Sequence, residues 1–297
     1  MMDIQWFPGH MKKTQRMIAE NLKYVDIVAE VIDARIPVSS RNPDIDTLVG
    51  EKPRLIVLNR ADQADPAGNR LWGDWFRSRG WSVLETDAKE GKGINQFSPV
   101  VKEVLKDKIQ QWQAKGQVGR PIRAMIVGVP NVGKSTFINK VARRKSAKAS
   151  DKPGVTRGKQ WVAVDAGLDL LDTPGILWPK FEDPQTGLHL AFTGAVKDEI
   201  MDTETLACHL LEELAAAYPA ALTERYKIGV PERSEEEEGL AYGYALLEQA
   251  ARKRGFLISG GEPDTERMGK VLLDEFRAGK LGRFTLEKPQ AVSEETE

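Results

Sequence analysis

Gly128–Thr136, GVPNVGKST, carries the spacing G-x-x-x-x-G-K-[ST], which suits chemistry on nucleotide phosphates. Its glycines let the main chain curl so that successive N–H groups, from Asn131 through Val132, Gly133, Lys134, Ser135 and Thr136, surround a β-phosphate. A helix opening there adds the positive end of its dipole. Lys134 supplies a point charge to the β- and γ-phosphates, and the Ser135 hydroxyl can ligate Mg²⁺. The apolar run IRAMIV before the motif reads as a strand and Ser135–Val141 after it as a helix, the context such a loop needs.

Other motifs fall on both sides of that loop. Downstream, Leu170–Gly175 (LLDTPG) closes an apolar run; Asp172 can hold Mg²⁺ through a water, and the Gly175 N–H can meet a γ-phosphate. Between them PGVTR, residues 153–157, offers Thr156, a hydroxyl suited to closing over Mg²⁺ when a γ-phosphate is present. Upstream, Asn59–Asp62 (NRAD) ends the apolar run RLIVL, and the Asp62 carboxylate can accept both N1–H and N2–H of guanine. Adenine lacks that donor pair. Thr86–Lys89 (TDAK) ends WSVLE and could present the Ala88 N–H to guanine O6. Two such tetrapeptides at strand ends favour guanine over adenine.

All these motifs need strand ends to hold them. Strands are expected at Asp26–Asp33, Arg54–Asn59, Trp81–Thr86, Ile122–Gly128, Gln160–Val164 and Leu168–Asp172. Helical spacing fills Pro8–Lys23, Pro66–Arg79, Ile94–Lys115 and Gly133–Arg144, so the first part of the chain alternates as a parallel α/β sheet does. Beyond Pro179 only helical patterns remain, at Thr203–Tyr218, Gly239–Lys253 and Thr265–Ala278. This divides the 297 residues into a nucleotide domain, 1–182, and a helical domain, 183–297, with an unstructured tail from about residue 287.

Composition excludes other classes. Cys208 is the single cysteine, which rules out an intramolecular disulfide. No run approaches the roughly 20 apolar residues that span a bilayer, and the opening MMDIQWFPGHMKK has no apolar signal core, so the cytoplasm is the expected location. The net charge of −1 conceals a division: residues 102–159 carry 15 basic and 3 acidic side chains, residues 160–297 carry 14 and 27. The middle is therefore a candidate polyanion surface.

In ordinary Ras-like GTPases the phosphate loop comes first and the guanine-reading motifs last. Here NRAD and TDAK precede GVPNVGKS, PGVTR and DTPG, an order that resembles the circularly permuted GTPases of the YlqF type. QWFPGHM, DARIPVSSRNP and GILWPKFED strengthen the resemblance, which runs from about residue 4 to residue 285. It implies a circularly permuted Ras-like P-loop domain, with a mostly parallel sheet and helices on both faces, followed by a small all-α domain. It further implies hydrolysis of GTP to GDP with Mg²⁺, in late maturation of the large ribosomal subunit. Binding would occur in the GTP state and release on hydrolysis, with a pre-ribosomal particle and its rRNA as partners and neither membrane nor DNA involved. A monomer is expected.

Two residues depart from the family pattern: Arg60 stands where lysine is usual and Asp87 where serine is usual. After Gly175 come Ile176 and Leu177, so the glutamine that orients water in many GTPases is absent and slow turnover without the particle is expected. The resemblance favours His10, in FPGHM, as the group that orients or deprotonates water, against a plain packing or RNA-contact role. Asn131 is a candidate K⁺ ligand beside the phosphates, against a loop asparagine satisfying backbone groups. For RNA phosphates within the acidic remainder, the candidates are Arg252–Arg254 with Lys280 and Arg283. The chain runs from DTPG through Trp178–Asp183 into the helical domain, so loss of a γ-phosphate is expected to alter how that domain is held. Two other readings remain open: a nucleotide-gated RNA- or protein-binding module with negligible turnover, and a metabolic P-loop phosphotransferase.

Overall fold

The computed structural model describes residues 10–143, 161–165, 167–178, 181, 183–196, 202–234 and 239–289, with the backbone alone at 10–14, 143 and 165. The chain divides into two compact units, Phe7–Pro179 with Glu287–Glu297, and Lys180–Leu286 with Met1–Trp6.

In the first unit the strands are β1 (Ile27–Asp33), β2 (Arg54–Asn59), β3 (Ser82–Thr86), β4 (Ile122–Val127), β5 (Trp161–Asp165) and β6 (Leu168–Asp172). They form one sheet in the order β3-β2-β1-β4-β6-β5, parallel except for β5, which runs antiparallel to β6. Every residue of β1 and β2 is buried, the continuous apolar pattern expected of strands covered on both faces. Because five strands run the same way, the loops leaving their C-terminal ends gather along one edge of the sheet.

The helices of this unit are α1 (His10–Leu22), α2 (Asp44–Val49), α3 (Pro66–Ser78), α4 (Phe97–Val104), α5 (Lys106–Ala114) and α6 (Lys134–Arg143). The helical stretch expected over Ile94–Lys115 consists of a 3-10 turn followed by α4 and α5, parted at buried Leu105, whose backbone sits at φ −102°, ψ 13°. One core cluster gathers Ile18 and Leu22 of α1, Ile45 and Val49 of α2, Val28, Met125, Leu171 and Ile176. Helix α2 is too short for periodicity to reveal; the Asn42 side chain starts it by accepting the Asp44 N–H at 3.0 Å.

In the second unit lie α7 (Pro184–Phe192), α8 (Thr203–Ala217), α9 (Pro219–Tyr226), α10 (Ala241–Lys253) and α11 (Thr265–Arg277). Helices α7 and α9 are additions to the expected set. Each has proline at its first turn, and Asp183 caps α7 by accepting the Gln185 N–H at 2.9 Å. Helix α8 buries Leu206, Leu210, Leu211 and Leu214. Against it α10 approaches so closely at Gly243 that a Cβ would stand 2.5 Å from the Cys208 carbonyl. Of the RKR cluster, Arg254 is drawn to Glu275 at 3.0 Å beside Arg225 and the Tyr226 hydroxyl, and Arg252 reaches Glu262 at 3.5 Å.

The tail expected to be loose from about residue 287 is built into the first unit at its start. The Glu287 carboxylate accepts the Val38 N–H at 2.5 Å, the Ser39 N–H at 3.0 Å and the Ser39 hydroxyl, while its carbonyl accepts Trp72 Nε1–H at 3.0 Å. Sequence periodicity could not show this because the partners lie more than 200 residues away. Residues 290–297 are outside the described residues. Replacing Glu287 by alanine removes the acceptor of three hydrogen bonds, so we expect the first unit to lose about 1–3 kcal/mol. A lower urea midpoint, followed by tryptophan fluorescence, is the check.

Candidate nucleotide site

Strand register sets the site. Asp33, Asn59 and Thr86 are aligned across β1, β2 and β3, and Asp172 pairs with Ile126 one step from the end of β4. Residues that the sequence scatters over 140 positions thus leave the sheet at one edge.

The phosphate loop is shaped by close backbone approaches. A Cβ on Gly128 would stand 2.4 Å from the Val31 carbonyl, and one on Gly133, at φ +90°, would stand 2.4 Å from Asn59 Nδ2. Asn131 takes the left-handed conformation at φ 64°. Helix α6 follows with Lys134 buried and Ser135 and Thr136 exposed.

Lys134 and Asp172 face one another electrostatically. Burial holds the Lys134 ammonium below the usual lysine range against the pull of Asp172, and burial raises the Asp172 carboxyl against Lys134 and the Thr173 N–H. Thr173 donates its hydroxyl to the Ile126 carbonyl at 2.7 Å, which fixes the start of the DTPG loop. Gly175 lies on the phosphate loop, where a Cβ would meet Pro130 N at 2.8 Å, and the Ile176 N–H donates to the Gly128 carbonyl at 3.3 Å. Ile176 is fully buried in the core cluster. Its side chain belongs to the core, so the missing glutamine has been traded for packing.

Asn59 ties the loops together. Its Nδ2 donates to the Val132 carbonyl at 2.7 Å, and its Oδ1 accepts the Thr86 hydroxyl at 3.1 Å and the Ala88 N–H at 3.0 Å. The Ala88 N–H, expected to point at guanine O6, is therefore held by Asn59 in this structure. Asp87 is turned to its own loop, accepting the Glu90 N–H at 3.0 Å across the tight turn that pairs it with Lys92. The carboxylate in place of serine thus caps that turn.

Arg60 sits in the left-handed region at φ 57° and donates to the Asn131 carbonyl at 2.9 Å, with its Nε 3.6 Å from Asp33. Burial lowers the Arg60 pKa, and Asp33 opposes that most. Sequence reasoning passed over Asp33 and Arg35. The Arg35 N–H, Nε and Nη2 all donate to the Asp33 carboxylate, at 3.0, 2.9 and 2.7 Å. Burial would raise the Asp33 carboxyl, but this pairing outweighs it and holds the group below the usual range. The available signal was a pair of charges, DAR, closing an apolar run. Asp62 is exposed at the head of the next turn, which is fixed by the Ala61 N–H on the Thr86 carbonyl at 3.1 Å and by Asn69 Nδ2 on the Ala61 carbonyl at 2.9 Å.

Beside Lys134 and Ser135 opens a cavity of about 620 Å³, bounded by Leu171, Asp172, Thr173, Pro174 and Gly175 and by Met17, Glu20 and Asn21 of α1. His10 is the first residue of α1, about 10 Å along the axis from Met17. Its side chain, and the whole of the 153–157 loop with Thr156, lie outside the described residues. Among the described residues no group of three or more His, Cys, Asp or Glu could hold a metal by itself. The oxygens of Ser135 and Asp172 on the cavity wall fit Mg²⁺ shared with phosphate oxygens and water.

Fold and site together define a P-loop GTPase of permuted chain order. The family model described as a 50S ribosome-binding GTPase matches residues 123–227. Ribosome biogenesis GTPase A of Bacillus cereus is 45% identical over all of this chain and 97% of its own. YlqF from T. maritima, solved with GDP and with GNP, superposes with TM-scores of 0.67 and 0.65 at 29% identity, covering 93% and 94% of this chain and all of each solved chain. The chain belongs to the ribosome biogenesis GTPase A family.

If Asn59 is the tie between loops, Asn59→Ala should weaken GDP binding by at least about tenfold, since three bonds are lost at about 1 kcal/mol each. Titration with fluorescent GDP measures this. An affinity unchanged from wild type would show that the loops hold themselves.

Proposed function

We propose that this chain binds GTP and hydrolyses it to GDP and phosphate in the cytoplasm, as a factor in late maturation of the large ribosomal subunit. The observation that carries the reading is Asn59, which brings the phosphate loop and both base-reading loops to one edge of the sheet. Asp62 accepts N1–H and N2–H of the guanine, Arg60 lies along the base while bracing Asn131, and a guanine O6 competes with Asn59 for the Ala88 N–H. Backbone N–H groups of residues 131–136 receive the phosphates, with Lys134 set against the β- and γ-oxygens. Mg²⁺, held by Ser135 and through water by Asp172, offsets phosphate charge when bound, and Thr156 closes on it in the GTP state. Asn131 is the residue that would hold K⁺.

Turnover is slow in isolation because no hydrogen-bonding side chain follows Gly175. The particle raises it, with His10 directed at the attacking water. The buried Ile176 also favours a second reading, a nucleotide-gated binding module with negligible turnover. RNA is met by the helical unit and by the basic segment around Lys108 and Arg120, which pair with Asp26 at 3.1 and 3.6 Å at the sheet end away from the nucleotide. In the second unit the cations for rRNA are Arg252–Arg254 with Lys280 and Arg283, Arg254 being shared with Glu275. The chain acts as a monomer and, among the described residues, has no helix long and apolar enough to cross a membrane.

Co-sedimentation with large ribosomal subunits and their precursors tests this. We expect retention with a non-hydrolysable GTP analogue and little with GDP. His10→Ala should keep that retention while lowering particle-stimulated turnover. Equal retention with both nucleotides would contradict the proposed cycle, and equal stimulated rates would remove His10 from it.

A further inference from the structure

The cavity beside Lys134 has a wall that none of the nucleotide motifs supplies. Met17, Glu20 and Asn21 of α1 line it together with Lys134, Ser135 and Asp172. Spacings of three and four place these three residues on one helical face. Ile18 and Leu22, on the adjoining face, enter the core with Ile176. The packing that buries Ile176 therefore also sets this face of α1 beside the DTPG loop.

That face carries two side-chain acceptors. Glu20 is exposed on the cavity wall, and an ionised carboxylate only accepts. Asn21 is 2% exposed; its Nδ2 donates to the Met17 carbonyl at 2.7 Å, and its Oδ1 has no hydrogen-bond partner. A buried acceptor left so is costly, and a donor arriving in the cavity offsets the cost. Lys134 is already directed at phosphate, so the donor that suits Glu20 and Asn21 is water.

We infer that in the chain free of the particle α1 positions the hydrolytic water, Glu20 accepting its hydrogen bond and Asn21 backing that contact; this rests on the GTPase reading above. In the step, the water oxygen bonds to the γ-phosphorus as the bond to the β–γ bridging oxygen breaks. The electron pair stays on that oxygen, now part of GDP. One water proton moves to a γ-phosphate oxygen and the other remains, giving H₂PO₄⁻. Glu20 orients the water and retains no proton.

The test is single-turnover hydrolysis of GTP by the full chain at saturating Mg²⁺, beside affinity for fluorescent GDP. Glu20→Ala should slow hydrolysis at least about tenfold with GDP affinity within about twofold of wild type. Glu20→Gln keeps an acceptor oxygen and should restore the rate to within about threefold. Asn21→Ala, which removes the acceptor without adding bulk, should also slow the step. The assignment is overturned if Glu20→Ala hydrolyses at the wild-type rate, if its affinity falls as far as its rate, or if Glu20→Gln is as slow as Glu20→Ala. A wild-type chain that hydrolyses no GTP overturns the underlying reading and this inference with it, whereas wild-type turnover with an unaffected Glu20→Ala variant overturns this inference alone.

Discussion

One side-chain amide sets the geometry on which the site depends. Asn59 spends both ends of its group on three loops: the donor on the phosphate loop at Val132, the acceptor on Thr86 and Ala88. Net hydrogen bonds are worth only about 1 kcal/mol each, yet a buried polar group left unpaired costs more, so such a network specifies one arrangement. Gly133 makes it feasible, because any side chain there would strike Asn59. Arg60 adds a parallel link from the base side to Asn131, itself braced by the buried Asp33–Arg35 pair. A permuted chain keeps a Ras-like pocket because these links act through space and do not depend on where the chain begins.

How much of this could be read beforehand follows from the range of each interaction. The phosphate loop, the DTPG turn and six strands with nearly their final limits are local patterns of glycine spacing and apolar runs, and they were legible. The short helices α2 and α9 were not, because six or eight residues give too little period. What Asn59 does, why Asp87 can replace serine and where Glu287 goes all depend on partners supplied by strand register or by a chain return of more than 200 residues. The Ala88 N–H is the instructive case. Its position at a strand end was right, but whether it faces a base or a neighbouring amide is decided by β2, which the tetrapeptide itself cannot specify.

Ile176 and Lys134 show the same economy at the catalytic end. A glutamine after Gly175 would be free to face water; an isoleucine is taken into the core with Ile18 and Leu22, and this draws α1 against the phosphate chamber. Lys134 and Asp172 are shifted in opposite directions by one cause, burial of charge, which each relieves only in part for the other. A nucleotide carrying phosphate charge and Mg²⁺ would stabilise both ionised forms.

The most direct test of the interlocked pocket is competition among GDP, ADP and XDP for one fluorescent guanine nucleotide, on the wild-type chain and on Asp62→Asn. The account predicts that GDP alone competes well with wild type and that the variant shifts its preference toward XDP. Displacement by ADP as strong as by GDP, or a variant whose preference is unchanged, would mean that the base is not read where these loops converge.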